Sequence, residues 1–277
     1  MISPMSTSTI DIAFIGGGNM ATAIIGGLLR QGRAAQRILV IDPVAEQRQR
    51  LHDTLGVQTA AAADATVSQA ATIVWAVKPQ QFKDAASTSA PLTHGALHYS
   101  VMAGLRTDDM ARLLGTPRIV RAMPNTPALV GQGMTGLFAR PEVNAAERAA
   151  VQAMVEPTGQ HLWVDREADL DAVTALSGSG PAYVFYFIEA MMAAAQDMGL
   201  SAEQGRLLAQ ATFAGATALA TQSPDSPAVL RERVTSKGGT TYAALTHLEA
   251  AGVKAAFVAA MRAAQQRAGE LGDEFGR

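Results

Sequence analysis

An α/β domain built on a mostly parallel sheet, followed by an all-helical domain, is the architecture expected of this 277-residue chain. Three observations lead there. Short apolar runs alternate with helical stretches up to about residue 165, the pattern of a parallel sheet covered on both faces. A glycine-rich turn, GGGN at 16–19, joins the first apolar run to the first helix. Beyond residue 165 strand-like runs stop, and Ala, Met and Leu at helical spacing take over. The boundary is therefore drawn between domains 1–164 and 165–277.

The runs IDIAFI (10–15) and ILVID (38–42) read as strands flanking a helix over Ala21–Leu29 that closes near Gly32, which makes a βαβ unit. A polar helix follows and ends near Gly56. TIVWAV (72–77), ALHYSVM (96–102) and RIVRAM (118–123) continue the sheet. MTGLFA (134–139) and QHLWV (160–164), around a helix over Asn144–Met154, complete it. Helices are then expected over 167–176, 181–198, 202–221, 227–234, 241–250 and 252–270. The piece AYVFYFIEAMMAAA is apolar on every face, so it requires burial all round. A helical domain of about 110 residues offers too little interior for that, and a second copy of the chain is the inferred remedy. The alternative is the central helix of a monomeric bundle.

Composition removes several classes of function. There is no cysteine, so disulfides, thiolate nucleophiles and Cys-containing zinc sites are excluded. Five histidines, of which only 94 and 98 share a helical spacing, give little support to a metal site, and none is assigned. His161 and His247 are read as structural or solvent-facing. The formal charge of −2 comes without long blocks of either sign, which makes nucleic acid a poor partner. The opening MISPMSTSTIDI lacks the basic start and apolar core of a secretion signal. The longest apolar stretch, Ala182 to Ala195, contains Glu189 and is too short to span a bilayer. A cytoplasmic protein without membrane partners is expected.

Gly16, Gly18 and Ala21 match G-x-G-x-x-G/A directly after a strand and at the opening of a helix. Gly16 permits the tight turn, Gly18 lets backbone approach a pyrophosphate, and small Ala21 allows close helix-on-strand packing. Asn19 and Met20 open the helix whose free N–H groups and dipole favour a phosphate. The first domain is thus expected to be Rossmann-type and to bind a dinucleotide, NADPH or NADH. Asp42, at the end of the second strand, is placed to accept from the ribose hydroxyls and to repel a 2′-phosphate, which points to a modest preference for NADH. Arg48 and Arg50 offer a way round that repulsion, and a plain cap for the helix beginning at Pro43 is the other reading of Asp42. In AVKP (76–79), Val77, Lys78 and Pro79 follow a central strand, with Lys78 either beside the adenosine or simply solvated and Pro79 opening the next helix.

Three polar, glycine-rich segments remain as candidates for a substrate pocket: MPNTPALVGQG (123–133), LSGSGPAY (176–183) and VTSKGGTTYAAL (234–245). The last exposes backbone N–H donors at a helix start beside the hydroxyls of Ser236, Thr240 and Thr241, a cluster able to hold a small carboxylate without arginine. Each also reads as an ordinary cap or turn.

FIGGGNMATAIIGGL, AVKPQ, RAMPNTPALVGQGMTGL, DAVTALSGSGPAYVFYFIEAM and LRERVTSKGGTTYAALTHLE together resemble the pyrroline-5-carboxylate reductases, in the same order and from end to end. The last two are the specific ones. The resemblance implies an N-terminal nucleotide-binding domain and a helical domain that interlocks with its partner's in a homodimer or a larger assembly of dimers. It also implies reduction of a cyclic imino acid to proline with NADPH or NADH, the last step of proline biosynthesis. By the same resemblance Thr241 contacts the substrate nitrogen, and Ser236, Gly238, Gly239 and Thr240 form the carboxylate-holding turn. Asn125 lies beside the nicotinamide, and Lys78 near the adenosine end. Lys237 departs from the family's usual proline, and Ser226-Pro227 from its common His-Pro pair. Asp42 departs from the more phosphate-tolerant residue of many relatives.

Hydride transfer to a protonated imine needs placement more than acid, nucleophile or metal, so the missing cysteines are no obstacle. A related imine reductase and a catalytically silent dinucleotide-binding dimer are the alternatives. A hydroxy-acid dehydrogenase would want a lysine base around 174–186, where there is none.

Overall fold

The computed structural model describes residues 9–275. Residues 1–8, most of the segment read above against a secretion signal, lie outside the described part. By packing, the chain divides into two compact units: residues up to Ser179 together with those from Ala264 on, and Gly180–Ala263. The boundary drawn at 164/165 marks where strands end, and the packing division marks where contacts separate.

In the first unit an eight-stranded sheet runs β3-β2-β1-β4-β5-β6-β7-β8. Its strands are β1 (Ile12–Ile15), β2 (Ile38–Ile41), β3 (Gln58–Ala60), β4 (Thr72–Trp75), β5 (Leu97–Ser100), β6 (Ile119–Met123), β7 (Gly133–Ala139) and β8 (Gly159–Trp163). Every neighbouring pair is parallel except β6 and β7. The expected mostly parallel sheet is therefore present, with MTGLFA and QHLWV completing it. β3 adds an edge strand that polar, half-buried Gln-Thr-Ala did not signal.

Both faces of the sheet are covered at its centre, which is why β1 and β2 are continuous apolar runs buried at every position. Ile12 and Phe14 of β1 point into one layer with Ile24, Ile25 and Leu28 of α1 (Asn19–Arg30) and Leu51 of α2 (Ala45–Leu55). Val151 of α5 (Ala145–Val155) belongs to the same layer, and Asn144 begins that helix with a capping box to Glu147. Ala13 and Ile15 point the other way, to Phe82 of α3 (Phe82–Ser89) and Met110 of α4 (Thr107–Leu114). His98 of β5 is fully buried in that second layer, where the Trp75 Nε1–H donates to its Nδ1 at 2.9 Å. Burial holds the imidazole down at about 4, so it is neutral and fills a structural place.

The sheet is followed by α6 (Asp169–Val173) and a single π-helical turn over Thr174–Gly178. In the second unit α7 (Gly180–Asp197) packs on α8 (Ala202–Gln222), followed by α9 (Pro227–Arg233), α10 (Thr240–Ala250) and the first part of α11 (Val253–Phe275). Ser201 starts α8 with a capping box to Gln204, and Ser226 caps α9 with Pro227 in its first turn. The all-helical expectation for this half holds, while the expected burial of α7 on every face is not met within one chain. Ala195 is its single buried residue, and Phe185 and Tyr186 are 58% and 67% exposed. Among the described residues no single helix is long and apolar enough to cross a membrane. The pair α10 and α11, bent by 54°, passes by length and composition only.

Candidate active site

The glycine turn is built by close backbone approach. Gly16 has φ +97°, and a Cβ on it would lie 2.7 Å from the Ala76 carbonyl and 2.8 Å from the Val77 nitrogen. Its N–H donates to the Ile41 carbonyl at 2.8 Å. A side chain on Gly17 would strike Leu51 Cδ1 at 2.6 Å, so this glycine is required as well, a constraint set by α2 that the motif does not include. Gly18 differs from both. It is extended (φ −67°, ψ −170°), and a Cβ there would meet nothing within 4 Å. The turn therefore opens to space at Gly18, at the N-terminus of α1, which has no side-chain cap to use up its first N–H groups. Asn19 is exposed there, Met20 is half-buried against the core, and Ala21 is fully buried on the sheet. This is the cradle a pyrophosphate needs.

Asp42 is not the cap of the helix expected from Pro43, because α2 begins at Ala45 with Val44 as its N-cap and no side-chain cap. Its Oδ2 accepts the Gly17 N–H at 2.9 Å and its Oδ1 accepts the Val44 N–H at 2.9 Å, so it braces the turn and starts the following segment. Lone pairs remain on both oxygens for ribose hydroxyls. Arg48 donates to the Asp42 and Pro43 carbonyls at 2.8 and 2.9 Å, which keeps a guanidinium next to that carboxylate. Gln47 Nε2 donates to the Gly17 carbonyl, a further brace that sequence did not single out. Val77, Lys78 and Pro79 leave β4 against Gly16, with Lys78 exposed.

Asn125 follows the end of β6 and is engaged on every side. Its Oδ1 accepts the Met134 N–H at 2.9 Å, and its Nδ2 donates to the Ser177 carbonyl at 3.1 Å and hydroxyl at 3.2 Å. Below it, Arg121 of β6 is 2% exposed and pairs with Glu167 at 3.0 Å. Burial draws the Arg121 guanidinium pKa down while Glu167 pushes it back up. Glu167 also accepts from the N–H and hydroxyl of Thr107 at 2.8 and 2.7 Å, and neighbouring Arg106 pairs with Asp171 at 2.9 Å. The segment leading to Ser177 is thus tied to the sheet by ion pairs.

In the second unit the bend Thr235–Thr241 brings Ser236, Gly238, Gly239, Thr240 and Thr241 together. Gly238 has φ +75°, a left-handed conformation that favours glycine, and a Cβ on Gly239 would sit 2.6 Å from Ser236 Oγ, which packs close against it. Gly239 precedes α10 without a side-chain cap, leaving first-turn amides free. Lys237 is exposed. A groove of about 380 Å³ runs beside the bend, lined by Arg231, Thr235, Tyr242 and Thr246 among others. A larger cavity of about 420 Å³ lies by Asp11, Arg33 and Arg37, before β1 rather than after it, and does not include the glycine turn. Among the described residues no group of three His, Asp or Glu has the arrangement of a metal site.

Comparison with known proteins adds independent findings. Residues 167–271 match a sequence model described as pyrroline-5-carboxylate reductase dimerisation, and residues 11–104 one described as NADP oxidoreductase coenzyme F420-dependent. The chain is 43% identical over 272 residues to a pyrroline-5-carboxylate reductase of Pseudomonas aeruginosa, covering 98% of this chain and all of that one. A solved pyrroline-5-carboxylate reductase of Coxiella burnetii, 38% identical, matches with a TM-score of 0.88 over 95% of this chain and 98% of that one. The Plasmodium falciparum pyrroline carboxylate reductase with NADP bound, 27% identical, matches with a TM-score of 0.85 over 96% of this chain and the whole of that one.

Proposed function

The chain belongs to the pyrroline-5-carboxylate reductase family, and from that premise we propose that it reduces 1-pyrroline-5-carboxylate to L-proline with NADPH or NADH. The observation that carries the reading is the pair of main-chain cradles, one opening at Gly18 and one at Gly238–Thr241, in a chain that matches its relatives over nearly its full length. The dinucleotide supplies the hydride when bound. Gly16, Gly18, Asn19 and Met20 hold its pyrophosphate on α1, and Asp42 accepts from its ribose. Val77, Lys78 and Pro79 border the adenosine half, and Asn125 shapes the nicotinamide end. The Asp42 carboxylate favours NADH modestly, and Arg48 beside it keeps NADPH usable.

Residues 165–277 serve as the substrate and dimerisation region. Ser236, Gly238, Gly239 and Thr240 grip the substrate carboxylate through amides and hydroxyls, with no arginine in the bend. Thr241 contacts the ring nitrogen, which keeps its proton and so lets the neighbouring carbon accept the hydride without a separate acid. Thr241→Ala is expected to lower kcat/KM for the imine by roughly 5- to 150-fold, the loss of one hydrogen bond worth about 1–3 kcal/mol to a desolvated group. Dinucleotide affinity should stay within twofold. Unchanged turnover would remove Thr241 from the reaction.

The second unit supports a homodimer, or a larger assembly of dimers. Phe185, Tyr186 and Leu207 are 58%, 67% and 68% exposed, too much apolar surface for a free chain to leave in water. Sedimentation at micromolar concentration should give twice the chain mass or an even multiple. A clean monomer contradicts the pairing.

A further inference from the structure

Ser177 is a polar group to which the reaction outlined above gives no task, yet the structure spends an entire side chain on orienting it. Asn125 can face only one way, because the Met134 N–H donates to its Oδ1 at 2.9 Å, which fixes Nδ2 as the donor. Nδ2 then donates to Ser177, to its carbonyl at 3.1 Å and its Oγ at 3.2 Å. A hydroxyl that accepts in this way keeps its own proton to give, and the bond it accepts makes it a better donor. Among the described residues the one side-chain hydrogen bond of the Ser177 hydroxyl is the one it accepts from Asn125.

The place matters as much as the bonding. β1, β4, β5 and β6 are parallel, so Asn125 emerges on the same edge of the sheet as Gly16–Gly18. The turn Thr126–Val130 that follows it packs against α1. Ser177 itself lies in the π-helical turn Thr174–Gly178, closed by the Ser179 N–H to the Thr174 carbonyl at 2.8 Å. Such widened turns recur at functional sites. All of these residues belong to the first compact unit, the one that carries the glycine turn.

We propose that the Ser177 hydroxyl donates a hydrogen bond to the carboxamide oxygen at the nicotinamide end of the dinucleotide, and that Asn125 is the positioning residue that aims it. The proposal rests on the cofactor assignment above. It gives the two residues separate duties: Ser177 touches the cofactor, whereas Asn125 acts through Ser177.

The test compares binding of NADH with binding of ADP-ribose, which has the same pyrophosphate and adenosine but no nicotinamide. Ser177→Ala is expected to raise the Kd for NADH about fivefold, the size of one neutral hydrogen bond, and to leave that for ADP-ribose unchanged. Ser177→Thr, which keeps the hydroxyl, should stay near the wild type, and Asn125→Asp, which removes the Nδ2 donor, should behave like Ser177→Ala. An unchanged Kd for NADH in Ser177→Ala, or an equal rise for both ligands, overturns the proposal, the second outcome marking a purely structural latch. A wild-type protein that binds neither ligand overturns the cofactor assignment as well. One that binds NADH but does not turn over the imine removes the proposed reaction and leaves this inference standing.

Discussion

Gly18→Val is expected to fold as the wild type does and to lose dinucleotide binding, with the Kd for NADH and NADPH rising on the order of 100-fold or more. The expectation separates Gly18 from its neighbours. At Gly16 a side chain meets the Ala76 and Val77 backbone in a left-handed conformation, and at Gly17 it meets Leu51. Substitutions at either would damage the turn itself, and lost binding would say nothing specific. Gly18 has extended backbone open to any residue, and no protein atom lies within 4 Å of where its Cβ would be. That space is free for the proposed pyrophosphate. Thermal melting unchanged within a degree or two, together with lost cofactor fluorescence enhancement, is the result anticipated. Retained binding would mean that the phosphates lie elsewhere.

Glu167→Ala has the largest expected effect on stability, a loss of about 3–5 kcal/mol, because it strands a buried charge. Arg121 is 2% exposed and its ion pair is with Glu167, whose carboxylate also serves the N-terminus of α4 through Thr107. Removing the acid leaves a guanidinium with no water to turn to and exposes the first amide of a helix. Glu167→Gln, which keeps an acceptor for Thr107, should lose less. Glu270→Ala serves as control, since Glu270 pairs with Arg267 on an exposed helix face and should give no measurable change. Urea unfolding of the three variants at pH 7 distinguishes them, and equal midpoints for Glu167→Ala and Glu270→Ala would show that Arg121 finds another partner.

β1 and β2, which frame the glycine turn, were legible because each is buried on both faces and therefore written as an unbroken apolar run. β3 was not, being a half-buried edge strand of Gln, Thr and Ala with no pattern to read. Gly16, Gly18 and Ala21 were legible through spacing alone, whereas the need for Gly17 depends on where Leu51 falls once α2 has folded back. Arg121 did leave a trace, a charge inside the apolar run RIVRAM, which demands a buried acid somewhere, although nothing local says that it is Glu167. Ser177 left none. Its orientation comes from Asn125, 52 residues away, and nothing local to the turn Leu176-Ser177-Gly178 announces that partner. The apolar face of α7 was visible as a surplus, and the surplus is real, since a single chain leaves Phe185 and Tyr186 in water.

Substrate-dependent hydride transfer is read by following cofactor absorbance after adding racemic 1-pyrroline-5-carboxylate, with NADH and NADPH in parallel and a six-membered cyclic imine as comparison. The five-membered imine should be reduced with either cofactor, with kcat/KM higher for NADH by less than about tenfold, as one carboxylate opposing a 2′-phosphate allows. No oxidation of either cofactor would rule out this reductase activity, and faster reduction of the six-membered ring would assign the site to a different imine.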